Sequence, residues 1–470
     1  MQHETTIGPL HVGAAGIDIT PDRPVGLVGQ LYPRISAGAE TPIRAEAVAL
    51  EVAGTAGHSD QAVMVAIDLV GIPDLLTREL RDALRGRLDG LDVDKIILNA
   101  THTHTGPALI DAEEDADFSD GTTVVDGVQP PSAYRAFLVG KLVEVITQAW
   151  QGRAPGHVGW GLGHAVVGIN RRALYADGRS VMYGKVDTDD FRGIEGYEDH
   201  TVEVLCFWNR AKELIATTIN IACPSQEVEH LTQISADFWD VVRNQLRAEH
   251  GAGLAILGWV AAAGDQSPHL MLRKDAEERM RRLRGLSRLE EIGARVVQGW
   301  QEAYQGARQE LHDEVVLAHH TWTSHLPVRQ VTEAERDAAV TKLAELAAEE
   351  DQARVSPMVS WTRGVVDRYA TQTPDQTYPS TLHALRLGDI AIATNQFELF
   401  TDFGLQLKGR SPALQTFVVQ LAGPGTYLPT ARAAAGGGYS AIVQSNQVGP
   451  DGGQQLVEET LAVLKDFWTD

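Results

Sequence analysis

The chain has 470 residues, 43% hydrophobic and 22% charged, with a formal net charge of -23. That length can bury one large core or two moderate ones, and the composition is that of a folded globular protein without low-complexity tracts. The acidic balance argues against a nucleic-acid partner or an anionic membrane surface, both of which call for basic patches, and favours an enzyme with neutral or cationic ligands.

The N-terminal stretch Met1-Gln-His-Glu-Thr-Thr-Ile-Gly8 lacks the basic-then-apolar pattern of an export signal. No apolar run reaches the roughly 18 residues of a membrane span. Two cysteines, Cys206 and Cys223, give no disulfide framework. A cytoplasmic protein with no stable membrane anchor is expected.

Residues 12–19, 45–52 and 62–68 are strand-like, with turns at Pro21, Pro24 and 54–57. Residues 75–88 have helical spacing and lead to Lys95-Ile-Ile-Leu-Asn-Ala100, an apolar run of strand type. Then comes Thr101-His-Thr-His-Thr-Gly-Pro107, where Gly106-Pro107 forces a turn. In a strand, residues two apart share a face, so His102 and His104 are expected on one face and the threonines on the other. Such a pair either binds a borderline metal such as zinc, divides into one ligand and one proton carrier, or simply hydrogen-bonds at a strand end.

An amphipathic helix is expected over 134–152, then strands at 158–162, 202–207 and 215–222, with a polar Gly- and Asp-rich loop at 172–199. Residues 238–249 are helical, and the apolar 255–263 ends in Gly264-Asp-Gln-Ser-Pro268. Residues 272–312 form a long charged helical region whose interleaved glutamates make an ion-paired, solvated face rather than a phosphate-binding surface. His319 and His320 alternate faces on a strand at 316–322 and read as structural. A helix at 332–351, a strand at 384–393 leading into Thr394-Asn-Gln-Phe-Glu398, and a helix at 453–468 complete the chain. The candidate polar sites all fall where apolar runs end. This order predicts one large α/β domain over residues 1–470, with mixed sheets and flanking helices.

Several segments, in order, resemble the N-terminal catalytic domain of the neutral/alkaline (non-lysosomal) ceramidase family. They are Val12-Gly-Ala-Ala-Gly-Ile-Asp-Ile-Thr-Pro21, Ala66-Ile-Asp-Leu69, Ala100-Thr-His-Thr-His-Thr-Gly-Pro107, Asn170-Arg171, Ile234-Ser-Ala-Asp237, Ala263-Gly-Asp-Gln-Ser-Pro268, Glu398 and the pair Tyr427 and Tyr439. The resemblance implies a ceramidase-like catalytic domain and a zinc amidohydrolase, and the immunoglobulin-like C-terminal domain of that family is expected to be absent. It implies that His102, Glu398 and Tyr427 ligate Zn2+. By the same resemblance His104 is a non-ligand histidine near the reacting carbonyl, and Tyr439 stabilises the oxyanion. Ser267 is either a nucleophile or a substrate anchor, and Arg171 lines the site. One match fails: the family's second ligand histidine follows a cysteine, whereas this chain reads Asn220-Ile-Ala-Cys-Pro-Ser-Gln226. Cys223 either takes the place as a thiolate or is a small buried residue at a strand end, His230 can fold back, or the site binds metal with only His102, Glu398 and Tyr427 or not at all.

Amide hydrolysis needs a strong nucleophile, charge stabilisation and a proton for the leaving amine. A zinc-bound hydroxide answers the first two needs, and His104 and Tyr439 are suited to the oxyanion and the proton. His269, just after Ser267-Pro268, is a candidate substrate contact, and Asp68 is either an orienting residue for a ligand histidine or a turn residue. Gly436-Gly-Gly438 is read as a tight loop delivering Tyr439. The expectation is a zinc-dependent, ceramidase-like hydrolase of the N-acyl (amide) bond of a small-molecule substrate, either a sphingolipid or a smaller soluble amide. The same scaffold also admits an esterase, lactonase, lyase or non-catalytic binding descendant, and a homo-oligomer remains open.

Overall fold

A computed structural model describes residues 5–54, 59–111, 114 and 126–469. Twelve strands form one large sheet: β1 Thr6–Asp18, β2 Arg44–Ala53, β3 Ser59–Ile67, β4 Ile96–Ala100, β5 Ala154–His164, β6 Thr201–Asn209, β7 Leu214–Ile221, β8 Ala255–Val260, β9 Glu314–Pro327, β10 Thr377–Leu387, β11 Ile390–Thr394 and β12 Gln415–Val419. The long β1 is the hub. Its residues 6–9 pair with β9, residues 10–18 pair with β2, and His11 and Val12 also pair with β5.

Three neighbouring pairs are parallel: β3 with β4, β7 with β8, and β11 with β12. Parallel neighbours need a crossover, and each pair has one helix between its strands. These are α1 Asp74–Leu84, α3 Phe238–His250 and α8 Thr401–Arg410. The remaining helices are α2 Pro131–Gln151, α4 Lys274–Arg284, α5 Arg288–Ala307, α6 Glu333–Ala347, α7 Gln352–Thr371, α9 Ala431–Gly436 and α10 Pro450–Asp466.

Two apolar layers hold the sheet. Leu50, Met64, Leu205, Trp259, Leu385 and Phe417 fill one side. On the other, helices α1, α2, α3 and α5 bury residues such as Leu80, Leu138, Trp239 and Trp300 against Val65, Leu98 and Ile219. Strands buried on both faces explain the near-continuous apolar runs of β3, β4 and β8. The mixed α/β architecture expected from the sequence is therefore present. Among the described residues no helix is long and apolar enough to cross a membrane.

Several local expectations change. The charged region 272–312 is two helices, not one. Gly285, with φ of 68°, closes α4, and Ser287 with Glu290 forms a capping box that starts α5. The 384–393 strand is two strands turning at Gly388, with φ of 58°. The 172–199 loop contains a small three-stranded sheet of Arg172–Tyr175, Ser180–Met182 and Phe191–Ile194. Helix α7 was not expected: Pro357 and several β-branched residues within it weaken the helical signal.

Candidate functional site

The carboxyl ends of the parallel strands meet at one place, the usual position of a ligand crevice in α/β sheets. They are stitched together by hydrogen bonds from Ala100 N to Leu421 O (3.2 Å), Gln420 N to Val260 O (2.9 Å) and Ala261 N to Ile221 O (2.8 Å). The buried amides of Asn99 and Asn220 add bonds to Gly258 O (3.1 Å) and Val418 O (3.0 Å). The candidate side chains leave from these ends.

Strand β4 stops at Ala100, and His102 has φ of +66°, so the histidine pair sits in a tight loop rather than on a strand face. The loop is anchored by its threonines. Thr101 donates to Asp68 (3.1 Å), while Thr103 and Thr105 both donate to Ser235 O (2.6 and 3.0 Å). Asp68 is itself a buried partner of Arg243, with contacts of 2.5 and 2.9 Å. It therefore supports the loop through Thr101, and its ion-pair partner is an arginine rather than a histidine.

The two imidazoles nevertheless converge. His102 Nδ1 lies 2.5 Å from Val70 O, and its Nε2 lies 3.3 Å from Glu398 Oε2 and 3.3 Å from His104 Nε2. A carbonyl only accepts, so Nδ1 of His102 carries a proton, and in the neutral ring that leaves the lone pair on Nε2. Glu398 and Tyr427 are direct partners in a two-residue parallel bridge, with Glu398 N donating to Thr426 O at 3.1 Å. Arg171 donates from Nη2 to the Tyr427 hydroxyl (3.1 Å) and to Gly264 O (3.1 Å).

Burial alone would raise the Glu398 carboxyl, but His102 and Arg171 facing it hold it below the ordinary carboxylate range. Burial and the Glu398 charge push the Tyr427 phenol well above its usual value, with Arg171 opposing. Burial also lowers His104, against the pull of Glu229, whose Oε2 stands 3.2 Å from His104 Nδ1.

Tyr439 packs edge-on against Tyr427, ring centroids 5.6 Å apart at 72°. Its loop turns at Gly437 and Gly438, with φ of 67° and 83°, and a Cβ at Gly438 would come within 2.4 Å of Ser180 O. Arg172, beside Arg171, fastens this loop through Gly437 O (2.6 Å), Ala433 O (3.3 Å) and Ser440 Oγ (3.2 Å).

His102, His104, Glu398, Tyr427 and Tyr439 line a cavity of about 610 Å³. Its walls include Val28–Leu31, Val70–Pro73, Leu109, Ile110 and a face of α7 from Ser360 to Thr371. Residues 112–113 and 115–125 lie outside the described residues, and no residue of the polar stretch 172–199 is on the lining.

Arg171, Ser267 and His269 stand behind this wall. Ser267 is fully buried, and its Oγ meets Tyr183 OH (2.8 Å), Gln226 Nε2 (3.3 Å) and the His269 backbone N–H (3.0 Å). The His269 ring turns away to Gln226 O at 2.9 Å. No general base is among these partners of the serine. Asp265 holds the same loop, accepting from Thr401 Oγ1 (2.7 Å) and Asn170 Nδ2 (2.8 Å).

Cys223 is in the apolar core, with Sγ 3.6 Å from Pro224 O, and does not line the cavity. Burial, together with the nearby Asp237 and Glu227 carboxylates, pushes its thiol well above the ordinary range. His230 is exposed. His319 and His383 form a separate buried pair, Nε2 to Nδ1 at 3.0 Å. Arg34, Gln226, Glu229 and Tyr183 escaped the sequence reading, because their partners lie tens to hundreds of residues away.

The donor chemistry suits a divalent ion held by nitrogen and oxygen: an Nε2 lone pair, a carboxylate and a phenol hydroxyl face one another. Among the described residues no three His, Cys, Asp or Glu side chains are already gathered as a metal cluster; the donors occur as pairs that share His102.

The chain matches no family model and no curated protein. It is similar in structure to the neutral ceramidase from Pseudomonas aeruginosa, with a TM-score of 0.67 and 18% identity over 97% of this chain and 75% of that one. It is also similar to a ceramidase complexed with C2, with a TM-score of 0.66 and 17% identity over the same shares. The fold of this chain is that of the neutral ceramidases.

Proposed function

We propose that this chain is a zinc-dependent amide hydrolase of the ceramidase type, acting on an N-acyl substrate smaller and more soluble than a sphingolipid. The observation that carries the reading is the convergence of His102 Nε2, Glu398 Oε2 and Tyr427 on the lining of one cavity. The ceramidase fold supports it. A cavity of about 610 Å³ is in the range that holds a drug-sized molecule.

His102, Glu398 and Tyr427 would hold the ion. When bound, zinc supplies Lewis acidity to an amide carbonyl and to water. Val70 O fixes the His102 tautomer, and Arg171 keeps the Tyr427 hydroxyl in place from behind. Tyr439 stands at the cavity wall, where its hydroxyl donates to the oxygen on which negative charge develops. Ser267 contributes by bracing Tyr183 and the His269 backbone rather than by attacking the substrate, since it has no base in reach.

The test is product analysis in 18O-labelled water on a panel of N-acyl amines, from acetyl to long-chain and including a ceramide. The expected result is label in the acid product, loss of turnover with a chelator, and recovery with zinc. Unlabelled or unsaturated product, or turnover indifferent to chelator, contradicts it.

A further inference from the structure

At the position where the resemblance expects a second ligand histidine, this chain has Cys223-Pro224. The structure puts another imidazole in reach instead. We propose that His104 is itself the metal ligand that fills this place, and that Glu229 is the carboxylate that orients it. The proposal rests on the zinc reading above and adds the identity of the missing donor.

The argument begins with protons. Val70 O fixes the His102 proton on Nδ1. His104 Nδ1 is a buried nitrogen that makes no hydrogen bond of good geometry among the described residues, and Glu229 Oε2 stands 3.2 Å from it; a carboxylate only accepts, so the proton of the neutral His104 ring is assigned to Nδ1 as well. Both Nε2 atoms then carry lone pairs, and they face each other at 3.3 Å with Glu398 Oε2 a further 3.3 Å from His102. With both rings neutral, His102 Nε2 has an acceptor on either side, His104 Nε2 and Glu398 Oε2, and a cation shared among them would satisfy all three.

The distances agree. Two donors held at about 2.0–2.1 Å from one tetrahedral zinc stand about 3.3 Å apart. Both observed separations, His102 to His104 and His102 to Glu398, equal that edge. The rings are also edge-on, at 81°, which lets each aim its nitrogen at a common point.

The positioning is built from distant parts of the chain. Buried Arg34 donates to His104 O (2.5 Å) and Val28 O (2.8 Å) with Nη2, and to Glu229 O (2.6 Å) and Leu231 O (2.8 Å) with Nη1. One guanidinium thereby ties the histidine loop to the segment that carries the acid. Behind the ring, Gly29 has φ of +101°, and a Cβ there would stand 2.6 Å from His104 Cγ. A carboxylate–imidazole–metal relay is the usual way such a ligand is oriented. Cys223 lacks any of this, being in the apolar core beside Pro224.

X-ray absorption at the zinc edge of the zinc-loaded wild-type chain tests the assignment. Two imidazoles and no sulfur are expected; a single imidazole, or any sulfur, overturns it. Chelator competition on variants gives a second readout. Glu229→Gln should weaken zinc binding roughly 10–100-fold, the usual loss for an orienting partner, His104→Ala should weaken it further, and Cys223→Ala should leave it unchanged. Wild-type zinc affinity in both Glu229→Gln and His104→Ala overturns the assignment while leaving the metal reading standing. A wild-type chain that takes up no zinc overturns both. The wild-type spectrum and Glu229→Gln decide the matter even if His104→Ala fails to fold.

Discussion

At the scale of single residues, the site depends on atoms held from behind. Tyr427→Phe removes the hydroxyl that meets Arg171 and faces Glu398. Zinc affinity and kcat should both fall while the fold is kept, as circular dichroism and chelator competition would show; unchanged zinc affinity would remove Tyr427 from the donor set. Arg243→Met leaves Asp68 buried without its cation. Breaking such a pair costs about 3–5 kcal/mol, to be read as a lowered urea midpoint. A loss well below this would mean that Asp68 finds another partner. The histidine pair was legible in the sequence, but the strand alternation offered for it was not the cause: His102 leaves extended geometry at φ of +66°, and the threonines make the loop. Arg34 and Glu229 were not legible, because nothing in local sequence says that residues 34, 104 and 229 meet.

At the scale of elements, periodicity located most strands and helices because their apolar faces are buried. It failed where a break depends on backbone conformation. Gly285 and Ser287, which divide α4 from α5, carry turn and cap signals that the continuous charge pattern masks. Helix α7 matters most here, since it forms a cavity wall and Trp361 packs on Tyr439 with centroids 5.8 Å apart. Trp361→Ala should widen the cavity and loosen Tyr439. We expect kcat for short acyl substrates to drop several-fold while longer acyl chains are relatively better accepted. An unchanged chain-length profile would show that α7 does not bound the acyl site.

At the scale of the whole molecule, three βαβ units bring their carboxyl ends together, and that convergence makes a site from residues over 300 positions apart in sequence, such as His102 and Tyr427. The mixed α/β class followed from the alternation of apolar runs and helices. The strand order did not, because it rests on non-local pairings of β1 with three partners. Stability should respond to acid through the buried His319–His383 pair. Burial pushes His319 down to about 3 and His383 well below the ordinary value of 6.5. Between pH 6.5 and about 3 the unfolded chain therefore binds a proton that the folded His319 refuses, so this histidine's contribution to stability falls as pH falls through that window. Each such histidine contributes a slope of up to about 1.4 kcal/mol per pH unit. His319→Asn should flatten the dependence of the urea midpoint on pH in this window, and an unchanged slope would contradict the assignment.

The most direct test of the account is anomalous diffraction at the zinc edge from crystals of the zinc-loaded protein. A single strong peak among His102 Nε2, His104 Nε2, Glu398 and Tyr427 is predicted. A peak at Cys223 or elsewhere, or none at this position, would contradict the metal site on which the hydrolase reading stands.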